Sequence, residues 1–152
     1  IAIGSHFEVP AEAICEALNG YIPSNNRSQL TETKDNHLIV DAYNANPTSM
    51  MAALENFRLM EVSHKVAILG DMKELGEGSV DEHRKIVSFL EGCGFERIIL
   101  VGDEFGKANS GFEWYKNTDD LKAKISEEKI RGKFVLIKGS NSMKLAPLKD
   151  IL

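Results

Sequence analysis

Four short apolar runs punctuate the chain: His37-Leu38-Ile39-Val40-Asp41-Ala42-Tyr43, Lys65 to Leu69, Arg97 to Val101, and Phe134-Val135-Leu136-Ile137. Each has the length of a strand, and the unbroken hydrophobicity of its middle suits burial on both faces, as in a parallel sheet. Between the runs the period changes to three and four. Pro47-Thr48-Ser49 opens a helix through Met60 with Met50, Ala53, Leu54 and Phe57 on its core side. Ser79 to Glu91 predicts a second helix: Val80, His83, Val87 and Leu90 share a face, Ser79 and Glu82 are spaced as a capping box, and Gly92 stops it. Leu121, Ile125 and Ile130 behind Asp119-Asp120 predict a third, and a last helix is expected from about Ser142. A short polar strand is expected near residues 28 to 33. Strands alternating with helices predict an α/β fold, a Rossmann-like doubly wound and mostly parallel sheet, with ligands outside the carboxyl ends of the strands.

The first two dozen residues follow a different pattern. Pro10 is acceptable in a first helical turn, and Ile14, Ala17 and Leu18 give a short amphipathic helix that Gly20 stops. Tyr21 to Ser28 then reads as a loop, because Pro23 and consecutive turn-forming residues exclude regular structure. A domain boundary is expected there, between residues 1–24 and 25–152. The opening Ile1-Ala2-Ile3-Gly4 resembles the tail of an element begun upstream, so an excised fragment is expected.

Composition narrows the function classes. With 43% hydrophobic and 27% charged residues in a chain of 152, the protein falls in the soluble globular class. No apolar run approaches the ~18 residues of a membrane-spanning helix, and no basic segment precedes an apolar one as in a signal peptide. A net charge of −5, with no Lys/Arg cluster interleaved with aromatics, argues against a nucleic-acid partner. Cys15 and Cys93 form no CxxC, and the histidines at 6, 37, 64 and 83 are scattered, so neither a disulfide framework nor a metal site is expected. A reducing, cytoplasmic location follows as the default.

The strand exits carry the polar chemistry. They read Asp41-Ala42-Tyr43-Asn44-Ala45-Asn46-Pro47, Gly70-Asp71-Met72-Lys73-Glu74-Leu75-Gly76, Gly102-Asp103-Glu104 and Lys138-Gly139-Ser140-Asn141-Ser142. A carboxylate at such a position can accept hydrogen bonds from vicinal ribose hydroxyls, each charge-assisted bond worth ~1.5–3 kcal/mol. It can equally cap the following helix, a reading as strong as ligand binding for Asp103 and weaker for Asp41 and Asp71. Gly102 to Ala108 resembles a P-loop only superficially: three residues, not four, separate its glycines, and alanine replaces the hydroxyl after lysine. No GxGxxG follows the first strand either. His83 lies near a glycine-rich exit but reads more readily as a helix-packing residue than as a ligand contact.

Four blocks carry a family resemblance: Asn25-Asn26-Arg27-Ser28-Gln29, Val40 to Met50, Leu69 to Gly76, and Lys138 to Met143. In order and separation they are similar to the C-terminal domain of the Mur ligases from Tyr21 onward, and the second and third blocks are specific to one branch of that family. The resemblance implies that residues before about Ser24 close a central ATPase domain. It also implies that the P-loop, the magnesium ligands, the modified lysine and a UDP-sugar-binding N-terminal domain lie upstream of Ile1, so that this chain alone is not a competent ligase.

The implied reaction is ATP-dependent amide synthesis in peptidoglycan precursor formation. The carboxylate of UDP-N-acetylmuramoyl-tripeptide attacks the γ-phosphate of ATP, and the amine of D-alanyl-D-alanine attacks the acyl phosphate. The resemblance gives Arg27 to the phosphates, Asp41 to the ribose, and Tyr43, Asn44 and Asn46 to the neighbourhood of the adenine. It gives Asp71, Met72, Glu74, Ser140, Asn141 and Ser142 to the incoming dipeptide, with helix capping the competing reading for the serines and a surface salt bridge the competing reading for Arg27. ATP and magnesium are the implied cofactors, held mainly by the central domain, and the chain's own central and N-terminal domains are implied partners. A non-catalytic nucleotide- or protein-binding α/β module remains open, as does a related amide ligase of folylpolyglutamate or cyanophycin synthetase type.

Overall fold

The computed structural model describes residues 1–21, 29–109 and 111–152. Its elements run α1 (Ala2–His6), α2 (Ala11–Asn19), β1 (Gln29–Glu32), β2 (His37–Asp41), α3 (Pro47–Leu59), β3 (Lys65–Gly70), α4 (Ser79–Glu91), β4 (Arg97–Val101), α5 (Asp103–Ala108), β5 (Glu113–Tyr115), α6 (Thr118–Glu127) and β6 (Phe134–Lys138). One six-stranded sheet has the order β1-β2-β6-β3-β4-β5, with β1 antiparallel to β2 and every other pairing parallel.

The unbroken apolar strands are explained by a layer on each face. Along β3, Val66 and Ile68 point into one layer and Ala67 and Leu69 into the other; β6 repeats this with Val135 and Ile137 against Leu136. The first layer is closed by Leu121 and Ile125 of α6 and by Leu145, Leu148 and Leu152 near the end of the chain. The second is closed by α3 (Met50, Leu54, Phe57), α4 (Ile86, Val87, Leu90) and α5 (Phe105, Ala108). The chain thus winds outward from β2 to β5 on one face and returns over the other through α6, inserting β6 between β2 and β3. Neighbouring strands send their chains to opposite faces there, which opens a crevice at their carboxyl ends.

Three local expectations are corrected, and two short elements go beyond them. The N-cap of α4 is Gly78, without a side-chain cap, because a 3-10 turn over Gly76–Gly78 delivers Ser79 already inside the helix; Ile86 completes the buried face, while Val80 is only half-buried. Ile130 is in the core but lies beyond α6, which ends at Glu127. No α-helix follows Ser142: two 3-10 turns, Asn141–Met143 and Ala146–Asp150, are separated by Lys144 in the left-handed region at φ 53°, and the Met143 carbonyl accepts from the Thr118 hydroxyl at 2.5 Å. Finally, α5 and β5 were absent from the sequence reading. One is six residues long and the other three, too short to show a period, and the first takes its cap from a residue more than thirty positions away.

Helices α1 and α2 bury none of their residues. Ile1, Ile3, Phe7 and Leu18 are all exposed. Among the described residues, no helix is long and apolar enough to cross a membrane.

Candidate functional site

The exits of β2, β3 and β6 meet in the crevice. Main-chain and side-chain bonds lock two of them together: Ser140 N–H donates to the Asp71 carbonyl at 3.1 Å, and Lys73 N–H donates to the Ser140 hydroxyl at 2.9 Å. A Cβ on Gly139 would sit 3.0 Å from the Gly70 Cα, so glycine is what allows the β6 exit to approach β3 this closely.

At the β2 exit, Asp41 lies opposite Lys138 in the parallel register. The Lys138 ammonium, 1% exposed, donates to Asp41 Oδ2 at 2.5 Å and reaches the Asn44 carbonyl at 3.5 Å. The next turn is self-contained: the Asn46 side chain accepts from Ser49 N–H at 2.8 Å, and the Ser49 hydroxyl returns the bond to Asn46 N–H, a reciprocal cap that starts α3 at Pro47.

At the β3 exit the Asp71 carboxylate is fully enclosed. It accepts from Phe105 N–H at 2.9 Å, Glu104 N–H at 3.1 Å and the Lys73 ammonium at 2.9 Å. It therefore caps α5, with three of its about four acceptor positions taken, and it also lines the larger cavity described below. The expectation of a dipeptide contact through the Met72 side chain is corrected: that side chain is fully buried in the α3–α4–α5 layer. Beneath it, buried His83 accepts from Met72 N–H on Nε2 at 3.0 Å and meets the Ser79 carbonyl through Nδ1 at 2.7 Å, which assigns the proton to Nδ1. His83 supports the loop, as a packing residue should. Asp103 opens α5 and borders the larger cavity described next.

Two adjoining cavities open at this end of the sheet. The smaller, about 280 Å³, is lined by Tyr43, Asn44, Lys73, Glu74, Ser140, Asn141 and Ser142. The larger, about 360 Å³, lies between the β4 exit, the start of α6 and the turn after β6; Lys73, Lys116, Lys122 and Lys144 border it with Asp103 and Asp119. Lys73 and Ser142 belong to both. Glu74 and Lys144, one beside each cavity, hold left-handed backbones at φ 67° and 53°. Such conformations cost non-glycine residues about 1 kcal/mol or more and concentrate at ligand sites.

Of the residues expected from sequence, Tyr43, Asn44, Glu74, Ser140, Asn141 and Ser142 are thus brought together. Asp41 stands at the adjacent strand end, Asn46 is occupied as a helix cap, and Arg27 lies outside the described residues. Lys138 and Lys73 were missed. The only local trace of Lys138 is a charge ending an apolar strand, and its partner is 97 residues away. Among the described residues no group of three or more His, Cys, Asp or Glu could hold a metal ion.

The profile of a family described as "Mur ligase, glutamate ligase domain" matches residues 26–141. The UDP-N-acetylmuramoyl-tripeptide--D-alanyl-D-alanine ligase of Treponema pallidum is 30% identical over 161 aligned residues, covering all of this chain and 35% of that protein. A crystal structure of MurF from Acinetobacter baumannii superposes with a TM-score of 0.79 at 26% identity, over 98% of this chain and 34% of that one. MurF from Thermotoga maritima, solved in complex with ADP, shares the fold with a TM-score of 0.72 at 20% identity, over 91% of this chain and 35% of its own. The chain spans about a third of the length of these relatives.

Proposed function

The chain belongs to the Mur ligase family, and from that premise we propose that it forms the C-terminal lobe of an ATP-dependent ligase joining D-alanyl-D-alanine to UDP-N-acetylmuramoyl-tripeptide in cytoplasmic peptidoglycan precursor synthesis. Residues 25–152 are that lobe, and residues 1–24 close the central ATPase domain against which it works. The observation that carries this reading is the convergence of three separate sequence blocks on one cavity of about 280 Å³ at the switch point of the sheet.

In this reading the lobe binds and closes rather than reacts. The tripeptide carboxylate takes the γ-phosphoryl group, ADP leaves, and the dipeptide amine displaces phosphate as the amide forms and a proton is lost. Asp41 accepts from the ribose hydroxyls, Tyr43 and Asn44 border the adenine, and the Asn46 amide NH₂ is what its cap leaves available. Arg27 is the catalytic group of the lobe: its planar guanidinium stabilises charge on the transferring phosphoryl oxygens. Magnesium belongs to the central domain. The dipeptide meets the Ser140-Asn141-Ser142 turn and the Glu74 carboxylate, with Lys73 offering an ammonium to its carboxylate. Asp71 acts by holding Lys73 and the α5 turn. Closure excludes water from the acyl phosphate.

The test is ADP release by the full-length ligase that contains this chain. Release that requires both UDP-N-acetylmuramoyl-tripeptide and D-alanyl-D-alanine is expected; release driven by a glutamate or folate acceptor, with none from the dipeptide, would overturn the reading.

A further inference from the structure

The pair Asp41–Lys138 has no structural task that an apolar pair would not do as well. Lys138 ends a strand whose preceding residues are Val135, Leu136 and Ile137, and it is 1% exposed. Enclosing an ammonium and a carboxylate there costs desolvation that their attraction at best offsets. Asp41 does not serve the following helix either, because Asn46 and Ser49 supply that cap between themselves. Among the hydrogen bonds of the described residues, Lys138 holds Oδ2 of Asp41 and no partner takes Oδ1. The same ammonium reaches the Asn44 carbonyl, in the loop that carries Tyr43. One buried group thus sets the rotamer of the carboxylate and the position of the loop beside it.

We propose that Lys138 is a positioning residue for the nucleotide: by holding Oδ2 it presents Oδ1 of Asp41 to the vicinal hydroxyls of a ribose. The proposal rests on the reading of Asp41 as the ribose acceptor. Lys138 touches no substrate; it acts through Asp41, from the central strand that also delivers Gly139 and Ser140 to the cavity.

The experiment measures kcat/KM of the full-length ligase for ATP against 2′-deoxy-ATP and 3′-deoxy-ATP. The native enzyme prefers ATP, and Lys138→Met reduces that preference about tenfold, the equivalent of one charge-assisted hydrogen bond. Lys138→Arg, which keeps the charge, retains more of it. The KM for D-alanyl-D-alanine changes less than about twofold in each variant, because the contact removed is to Asp41 and not to the acceptor. A purely structural lysine would lower turnover of all three nucleotides alike and leave their ratio unchanged, and that outcome overturns the proposal. If Lys138→Met does not fold, Lys138→Gln reads the same ratio under the same criterion. No preference in the native enzyme would remove the ribose reading of Asp41 itself. Preference lost in Asp41→Asn but kept in Lys138→Met would leave that reading standing and remove Lys138 from it.

Discussion

Gly102 and Asp71 share one corner of the fold so closely that a Cβ on Gly102, whose φ is 119°, would lie 2.3 Å from Cγ of Asp71. Asp71 cannot yield, because the Phe105 and Glu104 amides and the Lys73 ammonium fix its carboxylate. Gly102→Ala therefore combines a forbidden backbone angle with a collision and is expected to cost about 3 kcal/mol or more. Gly76→Ala, at φ 61° with nothing within 4 Å, carries only the backbone penalty, about 1 kcal/mol. Urea unfolding of the two variants checks the contrast; equal losses would show that Asp71 is not the rigid anchor described.

His83 ties the loop after β3 to α4. His83→Ala strands Met72 N–H and opens a cavity, with an expected loss of about 3 kcal/mol. Amide exchange should speed up at Met72 to Leu75 before it does in β3, and uniform acceleration along the chain would contradict a local role.

Tyr115 gives a pH signature. Burial, reinforced by its hydrogen bond to Glu113 at 2.6 Å, raises its phenol from 10.0 to about 12. The fold favours the neutral phenol, so its contribution is complete below pH 10 and is lost as the pH rises through about 12. Glu113 works in the opposite sense: hydrogen bonding from Arg97 holds its carboxyl below the ordinary range, so its contribution is lost as the pH falls through that depressed value. The stability gap between the native chain and Tyr115→Phe should be flat from pH 7 to 9 and shrink above pH 10, as measured by urea unfolding; a gap independent of pH would remove the effect.

Lys73 stands between the two cavities, its side chain 43% exposed despite the bond to Asp71. In the full-length ligase, Lys73→Met should raise the KM for D-alanyl-D-alanine about tenfold, the loss of one charge-assisted contact, and leave the KM for ATP within about twofold. The reverse pattern would move Lys73 to the nucleotide.

The sheet was legible because its strands are buried on both faces, and burial of that kind leaves continuous runs such as Ile98 to Val101 in the sequence. Pro47-Thr48-Ser49 announced α3 for a local reason, since the cap that starts it spans only Asn46 to Ser49. Where the stabilising partner is remote, the signal vanished. The cap of α5 comes from Asp71, and the charge facing Asp41 comes from a strand at the other end of the chain. The same lack of long-range information hid the burial of the Met72 side chain and the capping task of Asp71, because a strand exit identifies which residues reach the crevice and not which way each side chain turns. Ser140 to Ser142 escaped this ambiguity: a turn with three successive short polar residues keeps some of them at the cavity whatever its exact twist.

The placement of the acceptor on this domain is tested most directly by an amide NMR titration of the 152-residue chain with D-alanyl-D-alanine, using L-alanyl-L-alanine as control. Three contacts near the upper end of ~1.5–3 kcal/mol, set against an association cost of ~4 kcal/mol or more, give about millimolar binding at best. Shifts should be confined to Lys73 through Gly76 and Ser140 through Lys144, and should appear with the D,D isomer alone. Equal responses to both isomers, or shifts specific to the D,D isomer that fall elsewhere on the chain, would take the acceptor site off these residues.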